Sequence, residues 1–143
     1  MRKRPPSPVN KIVSNEHTPP QGTSSQGTAR WPTELRLKRA EKRLDIIFDD
    51  GTVFALPAEY LRVESPSAEV QGHGAGQKQT VAGKAAVGIA RIEPVGHYAV
   101  RLIFDDGHDT GIYSWTYLHQ LGREHDSRWP RYLEDLAKAG LSR

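Results

Sequence analysis

The sequence predicts an α+β domain of about six mostly antiparallel strands, arranged in two strand–turn–strand–helix units with helices packed on one side. Three observations predict it. The tetrapeptide Phe48-Asp49-Asp50-Gly51 recurs as Phe104-Asp105-Asp106-Gly107. Each copy follows an apolar run (Leu44-Asp45-Ile46-Ile47, Val100-Arg101-Leu102-Ile103) and precedes an aromatic–leucine pair, Tyr60-Leu61 or Tyr117-Leu118. The tetrapeptides lie 56 residues apart and the aromatic pairs 57, so the copies keep step. Near the C-terminus, Trp129, Tyr132, Leu133 and Leu136 repeat at helical spacing.

Residues 1–32 hold most of the prolines, with Ser, Thr and Gln and few apolar side chains. Such a segment buries too little surface to offset its ordering entropy, so a disordered, basic, proline-rich tail is expected, with the domain at 33–143. Residues 33–48 read as a hairpin that turns at Arg39-Ala40-Glu41-Lys42. Leu44, Ile46 and Phe48 then share one strand face by period two. Asp-Gly between β-rich runs is a hairpin signal, because glycine takes positive φ without steric cost. A third strand is expected over 52–56, stopped by Pro57 at the start of a short helix over 58–62. Residues 64–84 show no period of 2 or 3.6 and read as a long loop.

The second unit is expected as a strand over 87–92, a turn at Glu93-Pro94-Val95-Gly96, and a strand over 97–104 with Tyr98, Val100, Leu102 and Phe104 on one face. A strand over 111–113 and a helix over 114–121 come next, with Ser114 as N-cap and Gly122 as C-cap. A last helix over 127–139 ends at Gly140. The aromatics Tyr98, Tyr113, Trp115, Tyr117, Trp129 and Tyr132 fall at core spacings rather than as a base-stacking platform.

The net charge of +3 invites a nucleic-acid reading, and its distribution argues against one. Residues 1–32 carry a net +4 and the rest a net −1, so the basicity belongs to the tail. With no cysteines, disulfides, thiolate metal sites and cysteine nucleophiles are excluded. No apolar run approaches a membrane span, and no signal-like h-region comes after Met1-Arg2-Lys3-Arg4, so a cytoplasmic protein is the expectation.

Two stretches could carry chemistry. Gly72-His73-Gly74-Ala75-Gly76-Gln77 lets backbone amides approach an anion, but it lacks the Gly-Lys-Ser/Thr ending of a phosphate loop. Asp105-Asp106-Gly107-His108-Asp109 gathers carboxylates and an imidazole that suit a divalent cation; the plainer reading is an acidic hairpin tip. His73 and His108 are the histidines whose loops could converge. No Gly-x-Ser-x-Gly elbow surrounds Ser65, Ser67 or Ser114.

The run Tyr60-Leu61-Arg62-Val63-Glu64-Ser65-Pro66-Ser67-Ala68-Glu69-Val70-Gln71-Gly72-His73-Gly74, with residues 92–100 and 104–115, strongly resembles the DUF971 family, also called the gamma-butyrobetaine hydroxylase-like N-terminal domain. The resemblance covers roughly residues 33–140. In carnitine-pathway dioxygenases a similar domain precedes the catalytic iron/2-oxoglutarate barrel, and it is also appended to some Mrp-type iron–sulfur scaffold ATPases. Here the expected domain stands alone. The dioxygenase version binds structural zinc through a Cys-x-Cys-x-x-Cys set after a Leu-Arg pair, plus a histidine in an Asp-Gly-His turn. Carried over, those positions are Ser65, Ser67, Val70 and His108, of which His108 alone keeps its residue type. The resemblance therefore implies a lost zinc site, with Ser65 and Ser67 hydrogen-bonding in the same corner.

The expected function is a non-catalytic binding or adaptor domain for a protein partner, linked to iron–sulfur or 2-oxoglutarate oxygenase metabolism. It needs neither cofactor nor membrane. Its expected surface joins the loop 62–77 to the second turn through Arg62, Ser65, Ser67, Glu69, His73, Gln77 and His108. The alternative is a module that binds zinc or iron through His73, His108 and nearby carboxylates.

Overall fold

The computed structural model describes residues 31–72 and 78–143, and the backbone of Ile12–Ser14 before them. In order these form β1 (Ile12–Ser14), β2 (Pro32–Lys38), β3 (Arg43–Phe48), β4 (Val53–Pro57), α1 (Ala58–Val63), α2 (Ala68–Gln71), β5 (Ile89–Val95), β6 (Ala99–Phe104), β7 (Gly111–Ser114), α3 (Trp115–Arg123) and α4 (His125–Ala139). The six expected antiparallel strands are β2 to β7. They form two three-stranded meanders, β2-β3-β4 and β5-β6-β7, each followed by a helix. Most of the expected disordered leader, residues 1–11 and 15–30, lies outside the described residues; of it, the backbone of Ile12–Ser14 lies parallel on the outer edge of β2. Its Ile-Val pair has the β-branched character that strands favour.

The repeat holds at the level of single hydrogen bonds. Phe48 N–H donates to Thr52 O at 2.8 Å, and Phe104 N–H to His108 O at 3.0 Å. Gly51 and Gly107 take positive φ at the same point of each turn, +88° and +95°. Asp50 Oδ1 accepts from Thr52 N at 2.9 Å and Asp106 Oδ1 from His108 N at 3.0 Å. The first aspartate of each copy ties its turn to the residue that opens the unit. Asp49 exchanges bonds with the Trp31 backbone, and Asp105 with the Gly88 backbone. Both aspartates of the motif are therefore structural in both copies.

The two units close on each other reciprocally. Tyr60 of α1 donates its hydroxyl to Leu121 O at 2.6 Å, and Tyr117 of α3 donates to Glu64 O at 2.6 Å. Both the donors and the acceptors lie 57 residues apart, so the bonds are related by an approximate two-fold. Burial pushes both phenols above their ordinary value, Tyr117 to about 12, so each stays a donor at any ordinary pH. Leu35, Leu44, Ile46 and Phe48 of one sheet meet Val100, Leu102, Phe104 and Tyr113 of the other, with Leu61, Leu118 and Leu121, in one core. Helix α4 adds Tyr132 and Leu136 against Val63. Arg143 clasps Glu59 through two bonds of 2.7 and 2.9 Å and tethers the end of the chain to α1.

Some elements differ from expectation. Strand β5 runs on through Pro94 to Val95, and the turn falls at residues 96–98, where Gly96 supplies φ +56°. Proline is tolerated there because no ladder partner asks for its N–H in an edge strand. Tyr98 therefore leaves the core face and is 60 % exposed. The expected loop 64–84 contains α2, a single turn too short to show a period. Helix α4 begins at His125, two residues early, and Leu133 points outward while Trp129, Tyr132 and Leu136 face inward. Ser114 caps α3 and left-handed Gly140 caps α4 as expected.

Gly122 is not a C-cap. It lies inside α3 beneath Phe54, whose ring atoms would sit 2.4 Å from an added Cβ. Alanine favours helix by about 1 kcal/mol over glycine, while overpacking costs about 1–3 kcal/mol. Gly122→Ala is expected to lower stability by about 1 kcal/mol net, read by urea denaturation. A raised midpoint would show that Phe54 swings aside freely.

Candidate functional site

The corner between the end of α1 and the second turn brings together five of the seven residues expected to form a surface. Arg62, in the last turn of α1, pairs through Nε with Asp106 Oδ2 at 2.8 Å. Lys84 approaches the same oxygen at 2.6 Å. Burial alone pushes the Asp106 carboxyl up. Lys84, the His108 N–H and Arg62 outweigh it and hold the group at about 2.

Ser65, Ser67, Glu69 and His108 form the inner part. His108 Nε2 lies 2.9 Å from Ser65 Oγ and 3.4 Å from Ser67 Oγ, and the two hydroxyls are 3.3 Å apart. On the other side of the ring, His108 Nδ1 lies 3.0 Å from Glu69 Oε1, which also accepts from the Thr110 hydroxyl at 3.0 Å. With Nδ1–H donating to Glu69, Nε2 is left to accept the Ser65 proton. Burial, with the Arg62 charge, pulls the imidazole pKa below its ordinary value; Glu69 and Asp106 oppose the shift without cancelling it. Gly111 completes the packing, because a Cβ there would meet Ser65 Oγ at 2.6 Å. Gln71 bonds Ser65 O at 2.9 Å and pins α2 to the corner.

His73 and Gln77 lie outside the described residues. Sequence reasoning missed Thr110, Lys84, Gln71 and Gly111. A glycine opening a strand was the one local signal, since the others become partners only through tertiary packing.

The chain Ser65–His108–Glu69 has the spacing of a nucleophile, base and orienting acid. Its exposure is inverted. Ser65 is 0 % exposed, whereas the Glu69 side chain is 66 % exposed. The hydroxyl faces the interior, where no substrate reaches it in this conformation, and the acid faces water.

The residues do not fit the zinc set that the family resemblance places here. Structural zinc takes four anionic or imidazole donors in tetrahedral array. Ser65 and Ser67 are neutral hydroxyls, Val70 is a buried apolar side chain with no donor atom, and His108 Nε2 is engaged. The Asp105 carboxylate is committed to Gly88, that of Asp106 to Lys84 and Arg62, and that of Glu69 to His108 and Thr110. Among the described residues no group of three or more His, Cys, Asp or Glu side chains could hold a metal ion.

A second feature is a cleft of about 90 Å³ between residues 78–80 and α4. The buried Glu64 carboxylate takes Lys78 at 2.8 Å and Arg128 at 2.9 Å at its wall.

With this geometry, residues 35–119 match the family described as gamma-butyrobetaine hydroxylase-like, N-terminal. The chain belongs to this family. Two solved structures similar to this gamma-butyrobetaine hydroxylase-like N-terminal domain are NMR solution structures. One is 47 % identical, with a TM-score of 0.70 over 80 % of this chain and 90 % of its own. The other is 48 % identical, with a TM-score of 0.71 over 85 % and 91 %. A third is a crystal structure of a protein of unknown function of the DUF971 family from Acidithiobacillus ferrooxidans. It is 41 % identical, with a TM-score of 0.54 over 64 % of this chain and 91 % of its own. No curated protein matches the chain. Among the described residues no helix is long and apolar enough to cross a membrane.

Two pH effects are expected. The folded pKa of His108 is depressed, so its stabilising contribution is complete above about 6.5 and falls as pH drops below that value. Wild type should therefore lose stability relative to His108→Gln on acidification, and ¹⁵N NMR should find the Nδ1–H tautomer at neutral pH. The opposite tautomer would contradict the bonding scheme. Asp106 is depressed from 3.8 to about 2, so its contribution is complete above 3.8 and lost toward 2. Asp106→Asn should cost about 2 kcal/mol at neutral pH, and the difference should vanish in that acid window.

Proposed function

We propose that this chain is a non-catalytic binding domain of the cytoplasm whose partner is a protein, docked at the corner around Glu69, Thr110 and His108. One observation carries the reading: the corner forms where the two repeats differ. The first unit joins its last two strands with residues 49–52, the second with residues 105–110, and the longer connection contains His108. After α1 the chain continues into the loop that holds Ser65, Ser67 and α2, whereas α4 comes almost directly after α3. The repeated fold closes without either addition, yet the two additions meet and lock together. Structure retained beyond what the scaffold needs is where binding residues concentrate.

The inverted exposure of Ser65 and Glu69 favours binding over nucleophilic catalysis. The family resemblance directs the search for the partner to iron–sulfur and 2-oxoglutarate oxygenase proteins. Glu69 and Thr110 offer an exposed carboxylate and hydroxyl at the rim, held in place by His108.

The test is capture from native lysate by the immobilised full chain, beside Glu69→Lys with Thr110→Lys. The expected outcome is a defined partner retained by wild type and lost by the double variant, which keeps the folded ¹⁵N NMR spectrum while losing about 1–2 kcal/mol of stability with the Glu69–His108 bond. Undiminished capture by the variant removes this surface. A fluorophosphonate probe is expected to leave Ser65 unlabelled; stoichiometric labelling or substrate turnover by the pure protein displaces the binding reading.

A further inference from the structure

Among the described residues β7 pairs on one side only, with β6. Antiparallel pairs alternate between those that exchange hydrogen bonds and those that do not. Trp115 N–H donates to Tyr98 O at 3.1 Å, which fixes the alternation. Val100–Tyr113 and Leu102–Gly111 are then bonded pairs, while Arg101–Ile112 and Ala99–Ser114 are not. The N–H and C=O of Ile112 and the N–H of Ser114 therefore point away from β6, and no described residue bonds them. The Ile112 side chain is 45 % exposed, apolar beside this open backbone. A sheet edge with unpaired backbone groups is a template for a further strand.

This fold already carries such an addition elsewhere. β1, three residues long, is paired on the outer edge of β2, so three pairings hold a segment there. β7 offers a run of similar length, Gly111–Ser114. Its surroundings set the chemistry of what it takes. Beside its N-terminal end stand Asp105, Asp106 and Asp109 of the preceding turn and Glu69 of α2, four carboxylates against the two cations Arg62 and Lys84. Both cations are engaged by Asp106, and Arg101, opposite Ile112, is paired with Glu93 at 2.6 Å. The Glu69 side chain, 66 % exposed, and the exposed Asp109 thus face water in a region of excess negative charge.

We propose that the β7 edge takes an extended segment of the partner protein by strand addition, and that this segment carries lysine or arginine. Its backbone pairs with Ile112 and Ser114, an apolar side chain lies beside Ile112, and a basic one meets Glu69 and Asp109. The segment belongs to the partner assigned above to the corner, and in that respect the inference rests on that reading. Backbone bonds to an edge serve any extended chain; the carboxylates select a basic one and repel an acidic one.

The probe is the acetylated, amidated peptide Lys-Thr-Ile-Thr-Lys, with Glu-Thr-Ile-Thr-Glu beside it, added to the ¹⁵N-labelled full chain. The expected result is NMR shifts centred on Thr110, Ile112 and Ser114, slower hydrogen exchange of the Ile112 amide, and no binding of the acidic peptide. The Ile112 N–H faces away from β6, so Ile112→Pro removes a donor for the added strand and no ladder bond of the sheet. It is expected to weaken the basic peptide about tenfold, whereas Ile112→Thr, which keeps the N–H, binds more tightly than the proline variant. If Ile112→Pro does not fold, protection of the Ile112 amide in wild type decides. No shift with the basic peptide, equal binding of the acidic one, or shifts at Val53 and Ala55 on β4 instead overturns the proposal. In the capture experiment above, a partner lost by Glu69→Lys with Thr110→Lys but kept by Ile112→Pro overturns strand addition and leaves the corner reading standing. A partner kept by both variants overturns the two together.

Discussion

The reciprocal pair of tyrosine bonds, Tyr60 to Leu121 O and Tyr117 to Glu64 O, is the constraint on which the rest of the structure depends. Each hydroxyl leaves its own helix and satisfies a carbonyl near the end of the other. A buried carbonyl without a partner is costly, and a buried phenol without one equally so. The two bonds answer both needs at once and fix the separation and angle of α1 and α3. Once that seam is set, the inward faces of the two sheets have one way to meet, and Leu61, Leu118 and Leu121 fill the space between them.

The same seam places the corner. The last turn of α1 ends at Glu64, and the next residues, Ser65 and Ser67, are delivered against the second Asp-Asp-Gly turn. That turn differs from its twin in the residue after glycine. Thr52 leads straight into β4, whereas His108 turns inward and contacts four side chains across the two units. Arg62 and Lys84 neutralise Asp106 beside it, so the acidic sequence of the turn is not an acidic surface at that residue. A corner built this way is rigid toward the core and presents Glu69 and Thr110 toward solvent.

Much of the fold was legible because its signals are local. The recurring Asp-Asp-Gly turns mark two hairpins by the φ that glycine allows, and Ser114 and Gly140 obey capping rules that depend on a few neighbouring residues. The misread positions depend on distant ones. Gly122 is small because Phe54 lies over it, and Tyr98 is exposed because Gly96, not Pro94, makes the turn. Helix α2 is one turn, too short for a hydrophobic period. The convergence of Ser65, Ser67 and His108 was legible through family resemblance, since no spacing rule connects residues forty apart. Thr110 and Lys84 had no signal at all: each is an ordinary polar residue until the fold brings it a partner.

The corner is joined by hydrogen bonds among protein groups, from Ser65 and Ser67 through His108 to Glu69. The most direct test is the metal content of untagged protein purified without chelator, beside His108→Ala. The expected result is no stoichiometric metal in either. Stoichiometric zinc or iron in wild type that disappears in the variant would contradict the bonding scheme, because His108 Nε2 would then be a ligand rather than the acceptor of the Ser65 proton.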